Sequence, residues 1–330
     1  MVIMKISIAL ATYNGARYLP DQLKSFIDQT RMPDELVIND DGSTDDTIMI
    51  IERFAKNAPF PVYYFLNKKN LGYTRNFDEA IMKTSGDLVF LSDQDDVWFP
   101  GKIAHVESLA ENNPENLVIM NNAALTDEDL NEVGLTALGQ FRSTGVSSNC
   151  FVYGCFCAVR RELLNICMPI PDGFKGHDNW IVGFADAFGA RLIDDVVLQY
   201  YRRHDYNESQ ILVNRLKKIS RIDRYKEAFN HNYNAVFDRD AKFTIDQRYL
   251  FLQGIFVAKS RCCIKYQHKL ELIEKKTYEV IDSLEVRMHI RKKKLLTKSL
   301  LAIYYFSNGG YKHASGINGL IKDLYCKGNS

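Results

Sequence analysis

Short apolar runs alternate with segments of helical periodicity over the first part of the chain. Runs of strand length occupy residues 6–11, 36–38, 62–66, 88–91 and 117–120. Between them, apolar residues recur every three or four positions, as at Leu19, Leu23 and Phe26. Strand–helix alternation with short connections predicts an α/β fold with a mostly parallel sheet sandwiched by helices.

The pattern changes in two places along the chain. Residues 123–150 are rich in polar residues and glycine, which predicts a loop-rich insertion. After about residue 210 the alternation ends and helical spacing predominates. We therefore predict a sheet domain over residues 1–208 and a helical, basic C-terminal region over residues 209–330.

Composition supports an ordinary globular protein with an uneven charge distribution. The 330 residues are 46% hydrophobic and 25% charged, and the net charge is +1. A balance this close to zero argues against nucleic-acid binding through overall charge. Residues 1–210 hold 18 basic and 30 acidic residues, and residues 211–330 hold 24 and 11, which gives −12 and +13. We expect the two regions to have different partners.

The seven cysteines do not form a disulfide pattern, because their number is odd and their spacing irregular. Cys155 and Cys157, with Cys150 nearby, lack a second ligand pair, so small buried side chains are favoured over a zinc site. We see no signal peptide and no apolar stretch near the ~20 residues that span a bilayer. These features predict a cytoplasmic protein.

Acidic residues follow the strand at 88–91. Asp93, Asp95 and Asp96 lie within four residues, and such carboxylates repel one another unless a cation, hydrogen-bond donors or solvent compensate them. At a strand end they can hold Mg²⁺ or Mn²⁺ through oxygen atoms. The alternative is a solvated turn in which Asp96 caps the next helix.

Polar residues also follow the first two strands, at the edge where parallel sheets bind ligands. Thr12, Tyr13 and Asn14 follow the first strand, and Asp40 and Asp41 follow the second. A carboxylate here can accept a hydrogen bond from a uracil or thymine ring. Arg75 follows a glycine turn, from which a guanidinium can reach a phosphate, although a turn before a helix has the same pattern.

A basic motif, Tyr201-Arg202-Arg203-His204, follows the apolar run at 196–201. A neutral His204 imidazole can join a metal or a diphosphate, and Arg202 or Arg203 can neutralise phosphate charge. The alternative is a basic surface turn. Trp98 and Trp180 can each line a sugar site, and Trp98 equally suits the helix–sheet core.

The ordered set of motifs resembles the inverting family 2 glycosyltransferases of GT-A fold. It comprises Ala11-Thr12-Tyr13-Asn14-Gly15, Asp40-Asp41-Gly42-Ser43, Asn70-Leu71-Gly72 and Asp93-Gln94-Asp95-Asp96-Val97-Trp98. The resemblance covers about residues 4–208. The last of these motifs and the later Tyr201-Arg202-Arg203-His204 are most similar to bacterial polysaccharide rhamnosyltransferases.

This resemblance implies a role for each matching position. Thr12, Tyr13 and Asp40 would contact the nucleobase region, and Asp93 the ribose or sugar. Asp95 would coordinate the metal, and His204 would close over the donor. Asp178, in Gly176-His177-Asp178-Asn179-Trp180, matches the catalytic base. The common form has an acidic residue where this chain has His177, so the role of His177 is open.

The implied reaction is metal-dependent, inverting sugar transfer in bacterial surface polysaccharide synthesis. It needs one carboxylate to take the acceptor proton and Mn²⁺ or Mg²⁺ to stabilise the leaving diphosphate. The leading donor is dTDP-L-rhamnose, and a UDP-hexose or UDP-N-acetylhexosamine is the alternative. The acceptor would be a glycan or a lipid-linked glycan.

The C-terminal region combines basic and apolar residues over 287–306. This composition suits a peripheral contact with the anionic inner face of the plasma membrane, although a helical domain with a solvated basic face explains it equally well. The aromatic residues are not interleaved with base-reading polar groups, so RNA binding is disfavoured.

Three other classes fit less well. A glycoside hydrolase needs a pair of carboxylates, and the sequence shows no acidic partner beside Asp178. A non-catalytic membrane scaffold leaves the acidic strand ends unexplained. A dehydrogenase of the Rossmann type would carry G-x-G-x-x-G after the first strand, and this chain does not.

Overall fold

The chain divides into two units, Met1–Arg224 and Tyr225–Ser330. The structure is a computed structural model, and it describes residues 4–147, 150–205, 207, 212–224, 233–313 and 316–325. The first unit contains the sheet and the second is helical, so each is described by itself.

Within the described residues, the first unit is built on one nine-stranded sheet. The strands are β1 (Ile6–Thr12), β2 (Glu35–Asp40), β3 (Val62–Leu66), β4 (Leu88–Ser92), β5 (Val97–Trp98), β6 (Val118–Thr126), β7 (Glu132–Thr136), β8 (Cys157–Arg160) and β9 (Arg191–Arg202). Their order is β3-β2-β1-β4-β8-β6-β9-β5, and β7 pairs with β6.

The strands at the start of the chain are parallel, as the apolar runs predict. β1 pairs in parallel with β2 and β4, β2 pairs in parallel with β3, and β6 pairs in parallel with β9. Every residue of β1, β2 and β4 is buried, as expected for strands covered on both faces. β8 runs antiparallel between β4 and β6.

Helices pack against this sheet and complete the predicted sandwich, so the fold-class prediction is confirmed. Leu19, Phe26 and Ile103 from the helices share one buried cluster with Ile8 and Phe90 of the strands. The helices are α1 (Leu19–Ile27), α2 (Thr47–Asn57), α3 (Tyr73–Met82), α4 (Lys102–Asn112), α5 (Ala137–Ser143), α6 (Arg161–Cys167) and α7 (His177–Ala187).

The expected loop-rich insertion at residues 123–150 is wrong for much of its length. It contains the end of β6, all of β7 and the helix α5. The Thr136 side chain caps α5 by accepting a hydrogen bond from the Gly139 backbone, and Leu138 and Phe141 are buried. A short amphipathic helix thus replaces the loop that the glycines suggested.

The described part of the second unit is helical, as predicted. It contains α8 (Tyr233–Arg261), α9 (Ile264–Arg291), α10 (Leu295–Ser307) and α11 (Ile317–Tyr325). Among the described residues, we find no helix with the length and apolar character needed to cross a bilayer.

One buried carboxylate joins three segments of the second unit. Asp323 of α11 is fully buried and accepts hydrogen bonds from Arg287 at 2.8 and 3.0 Å and from Arg291 at 2.9 Å, both on α9. The Tyr311 hydroxyl donates a further bond at 3.0 Å. Removing this carboxylate breaks the buried ion pairs of both guanidinium groups.

We expect Asp323→Asn to destabilise the second unit by about 3 kcal/mol, because breaking a buried ion pair costs far more than losing an exposed one. Urea unfolding followed by far-UV circular dichroism measures the change. The control is Asp282→Asn on the exposed side of α9, which should leave the transition unchanged. Equal behaviour of the two variants would contradict the assigned role of Asp323.

Candidate active site

The carboxylate of Asp40 organises the turn after β2. The β1–β2 register pairs Thr12 with Asp40, and the Thr12 hydroxyl donates to Asp40 Oδ2 at 2.7 Å. Asp40 also accepts hydrogen bonds from the Gly42 and Ser43 backbone and from the Ser43 hydroxyl. Asp40 is fully buried. The predicted pair Thr12 and Asp40 is therefore brought together, with the carboxylate oxygens bound within the turn.

Asp41 connects this turn to the start of α3. Its carboxylate accepts hydrogen bonds from the backbone of Leu71 and Gly72, both at 2.8 Å, and from the Asn67 side chain at 2.9 Å. Gly72 has a φ of 86°, a left-handed conformation that favours glycine. The contacts of Asp41 position the Asn70-Leu71-Gly72 turn.

Tyr13 and Asn14 follow β1, and each is fixed through a different neighbour. The Tyr13 N–H donates to Gln94 Oε1 at 2.9 Å, and Gln94 Nε2 donates to the Tyr13 carbonyl at 3.0 Å. The Tyr13 side chain is exposed. Asn14 accepts a hydrogen bond from the Thr44 backbone. A Cβ on Gly15 would lie 2.1 Å from Gln94 Oε1, so glycine leaves room for this bridge.

The acidic motif after β4 is joined by a histidine from far along the chain. Asp95 Oδ2 lies 2.8 Å from His204 Nε2, and the Asn207 side chain donates to the same oxygen at 3.0 Å. The His204 ring stacks on Tyr18 with centroids 4.6 Å apart. The structure therefore brings together the two predicted metal ligands, Asp95 and His204, and adds Asn207, which the sequence analysis missed.

Asp93 lies beside these groups and is partly buried. Burial, followed by the charge of Asp95, raises the pKa of Asp93 to about 7. The Asp178 carboxylate raises this pKa further, and the Arg203 guanidinium lowers it. Asp178 and Arg203 therefore act electrostatically on the same site. The sequence shows no acidic residue beside Asp178, and folding brings Asp178 within electrostatic range of Asp93.

A buried chain of polar groups lies behind the acidic motif. Gln199 Nε2 donates to Asp96 Oδ2 at 2.7 Å, and the Lys102 ammonium donates to the Gln199 side-chain oxygen. The ammonium also lies 3.9 Å from the centre of the Trp98 ring. Burial lowers the pKa of Lys102 to about 7 and raises that of Asp96 well above its usual value. Asp96 is thus buried and hydrogen-bonded within this chain of polar groups. The alternative, a solvated turn in which Asp96 caps α4, is wrong.

The sequence analysis missed Lys102 and Gln199. A signal for Lys102 was available, because it lies four and eight residues before Val106 and Ala110 on the buried face of α4. Trp98 contacts Phe26 and Phe90 in the core, and the Trp180 ring N–H donates to the Cys167 carbonyl. Both tryptophans are buried and do not line an open site.

The two adjacent arginines have different contacts. Arg202 donates to Asp21 at 2.7 Å and to the Glu128 carbonyl at 3.0 Å. Arg203 donates to the Tyr201 hydroxyl at 3.1 Å and acts on Asp93, as described above. The Arg202 backbone N–H donates to Asp96 at 3.3 Å, so the guanidinium of Arg202 points to other partners although its backbone lies at the acidic cluster.

Arg75 is also held by protein groups. It donates to Asp78 at 2.6 Å and to the Ile170 carbonyl at 3.0 Å, and it lies 3.6 Å from Asp172. These contacts tie α3 to the segment before α7. A role for Arg75 in phosphate binding stays a prediction.

Cys155 has a second property besides the burial that its sequence context predicts. Its sulfur and oxygen atoms of Asp93 and Asp96 all lie within 4.8 Å of one another, which is close enough to hold an ion. Burial raises the pKa of the Cys155 thiol well above its ordinary value, so the thiol is a weak ligand compared with the carboxylates. Cys157 is buried and Cys150 is exposed.

The donor set fits a divalent cation. Carboxylate oxygens from Asp93, Asp95 and Asp96 and the imidazole of His204 are ligands that Mg²⁺ and Mn²⁺ accept. Asp95 and His204 form one contact, and the atoms of Asp93, Asp96 and Cys155 that could hold an ion form a second set. The structure thus contains a possible acidic metal site at the predicted edge of the sheet.

Parts of the chain are similar in sequence to known proteins. The family model of glycosyl transferase family 2 matches residues 7–165. The chain is 28% identical over 214 residues to the uncharacterized glycosyltransferase alr2836 of Nostoc sp., which covers 62% of this chain and 66% of that protein. It is 35% identical over 109 residues to the dTDP-rhamnosyl transferase RfbG of Shigella flexneri. This match covers 32% of this chain and 38% of that protein. The matches thus span less than two thirds of these relatives.

A solved structure of S. aureus TarS, residues 1–349 in complex with UDP-GlcNAc, has the same fold. The TM-score is 0.54 at 15% identity, with 97% of this chain and 90% of that chain covered. At this identity the likeness establishes the GT-A fold alone.

His177 occupies an unusual position directly before Asp178. Its ring stacks on Phe77 with centroids 3.7 Å apart, and a Cβ on Gly154 would lie 2.2 Å from its Nε2. Neither ring nitrogen has a hydrogen-bond partner among the described residues. Burial lowers the pKa of His177 to about 4.

This pKa predicts a pH-dependent stability. Because the folded-state pKa is below the ordinary 6.5, the contribution of neutral His177 is complete above about pH 6.5 and is lost as pH falls toward about 4. His177→Leu removes that loss. As pH falls from about 8 to about 4, we expect the free energy of unfolding of the variant to rise by about 3 kcal/mol relative to that of the wild type.

Chemical unfolding across this pH range measures the difference between the variant and the wild type. The control is His268→Leu, which replaces an 88% exposed histidine and should show no such trend. A constant difference between His177→Leu and the wild type at all pH values would contradict the pKa assigned to His177.

Proposed function

Residues 7–165 form a family 2 glycosyltransferase domain, and from this we propose that the protein transfers a sugar from a nucleoside diphosphate to a glycan acceptor with inversion. The observation that carries the proposal is the 2.8 Å contact between Asp95 and His204, which are 109 positions apart in the sequence. Two metal-ligand types meet at the sheet edge where such folds bind nucleotides.

Asp178 is the proposed catalytic base. It lies in the first turn of α7, where its carboxylate accepts a hydrogen bond from the Asn179 N–H at 2.8 Å and stays partly exposed. Asp178 takes the proton of the acceptor hydroxyl while that oxygen attacks the anomeric carbon. The bond from the anomeric carbon to the diphosphate breaks, and its electron pair leaves with the diphosphate. No covalent intermediate on the protein is needed.

Positive charge for the leaving diphosphate is the second requirement. Asp95 and His204 would hold Mn²⁺ or Mg²⁺, which when bound supplies charge against the diphosphate oxygens. Arg203 adds a fixed positive charge that already acts on Asp93. Arg75 and Arg202 already contact the carboxylates of Asp78 and Asp21, and a contribution of their guanidinium groups to phosphate binding stays a prediction.

We propose that the donor is dTDP-L-rhamnose, on the basis of the similarity to RfbG. Thr12 and Tyr13 lie at the end of β1 beside Asp40, and together with Asn14 and Asp41 they form the proposed nucleobase region. Asp93, whose pKa the Asp178 carboxylate raises, is the proposed contact for a ribose or sugar hydroxyl. A UDP-hexose or UDP-N-acetylhexosamine is the alternative donor with the same mechanism.

The proposed acceptor is a lipid-linked glycan of a bacterial surface polysaccharide. Transfer would take place in the cytoplasm, at the inner face of the plasma membrane. The domain over residues 1–208 would bind the donor, and the helical region from residue 209 would contact the acceptor or the membrane. The uncompensated basic charge of that region supports this division.

A panel of nucleotide sugars tests the donor. We expect dTDP-rhamnose with Mn²⁺ to raise the melting temperature and chelator to abolish the shift. A ligand at 100 times its dissociation constant stabilises the folded state by about 2.7 kcal/mol. His204→Ala should remove the metal dependence. The matched control is His105→Ala, which breaks another histidine–aspartate contact of 2.8 Å, with Asp194 on β9.

The possible results of the panel lead to different conclusions. A shift with UDP-sugars alone would keep the mechanism and replace the donor. The absence of any shift would overturn the donor site itself.

Asp178→Asn tests the base. The substitution keeps the shape of the side chain and removes its basicity, so donor binding should be unchanged while transfer falls by about a hundredfold or more. Release of nucleoside diphosphate in the presence of a lipid-linked glycan extract measures transfer. Asp28→Asn, at the end of α1, is the control. Turnover near the wild-type rate would remove Asp178 from the proposed role.

A further inference from the structure

The helix α10 shows a reversed arrangement of polar and apolar residues. Its buried positions are Lys298 and Ala302, which lie four residues apart on one face. The side of the helix away from these two residues exposes Leu296, Leu300, Ile303 and Tyr304 to between 54% and 77% of their surface, and Leu295 in the first turn is 71% exposed. We call this set the α10 stripe. A helix that buries a lysine and exposes leucines is suited to a second, apolar partner.

The spacing of these residues forms a continuous surface. Leu296, Leu300 and Tyr304 follow one another at intervals of four, and Leu295 and Ile303 flank them. A helix of 13 residues is about 20 Å long, so the stripe runs along its whole length. Contiguous apolar surfaces of this kind are uncommon on soluble proteins without a binding role.

The charge around the stripe indicates the kind of partner. No acidic residue occurs between Glu285 and Asp323 in the sequence. Lys292, Lys293 and Lys294 directly precede α10, and Lys292 and Lys294 are exposed. Basic side chains at one end of an apolar face complement an anionic surface that has an apolar interior.

The structure also limits which basic residues contribute. Arg287 and Arg291 are buried against Asp323, and Lys298 is buried as well. Of the six basic residues over residues 287–306, the three lysines before α10 are therefore the ones available to contact a partner.

We propose that α10 binds the surface of an anionic phospholipid membrane, with its axis in the plane of the membrane. The α10 stripe enters the boundary between headgroups and acyl chains, and Lys292 and Lys294 contact the lipid phosphates. Tyr304 suits the headgroup level, because its ring is apolar and its hydroxyl is polar. A second copy of the chain is the alternative partner, and the experiment below distinguishes it from a membrane.

Vesicle sedimentation of the full chain tests this inference without donor or acceptor, and so its outcome is independent of the proposed reaction. We expect binding to phosphatidylcholine vesicles that contain phosphatidylglycerol, weak binding to phosphatidylcholine alone, and loss of binding at high salt. In the double variant Leu296→Glu, Leu300→Glu, vesicle binding should be weaker by a factor of about ten or more.

The matched control is Phe256→Glu, Ile264→Glu, which changes two side chains that are 77% and 85% exposed outside the stripe. It adds the same charge and should keep at least most of the binding. Circular dichroism and thermal unfolding, measured on each variant without donor, establish that the fold is intact.

Three results would overturn the inference. The first is that the wild type does not sediment with anionic vesicles at low salt. The second is that the stripe variant and the control bind the vesicles equally. The third is a wild-type dimer in gel filtration without vesicles that the stripe variant abolishes, because the stripe would then be an interface between two copies.

Discussion

The repulsion among carboxylates at the end of β4 is the constraint around which the candidate site is built. Asp93, Asp95 and Asp96 leave one strand end within four residues, and unit charges this close repel strongly in a partly dry environment. Two of the three carboxylates contact residues from elsewhere in the chain, and the Arg203 charge lowers the pKa of the third, Asp93. Asp96 is directed into the buried chain of Gln199 and Lys102, and Asp95 contacts His204. Compensation thus comes from α4, β9 and the segment after β9.

The extent to which the sequence predicts the site depends on how far apart the partners lie. Thr12 and Asp40 follow adjacent parallel strands, so their meeting is a direct consequence of strand order. The contacts of Asp41 and Arg75 could not be predicted, because a carboxylate or a guanidinium can bind either a ligand or a neighbouring protein group. Only the folded chain decides which one is within reach, as the ties of Arg75 to Asp78 and Ile170 illustrate.

The fold itself was predictable for strands in which every residue is buried and less predictable for elements in which only some residues are buried. β1 and β4 are uninterrupted apolar runs, and such runs are typical of central parallel strands. β7 and α5 are short and only half apolar, so their stability depends on packing against β6 and not on their own pattern. The antiparallel direction of β8 likewise depends on its partners β4 and β6.

The chain from Asp96 through Gln199 to Lys102 limits how this sequence can diverge over evolutionary time. A substitution at any one of the three positions removes a hydrogen bond from a buried group of the other two, and such losses are costly. Single substitutions here are therefore disfavoured unless a second change compensates for the lost bond. Among descendants of this sequence, the three positions should be retained together or replaced together, which makes them an inherited unit although 97 residues separate Lys102 from Gln199.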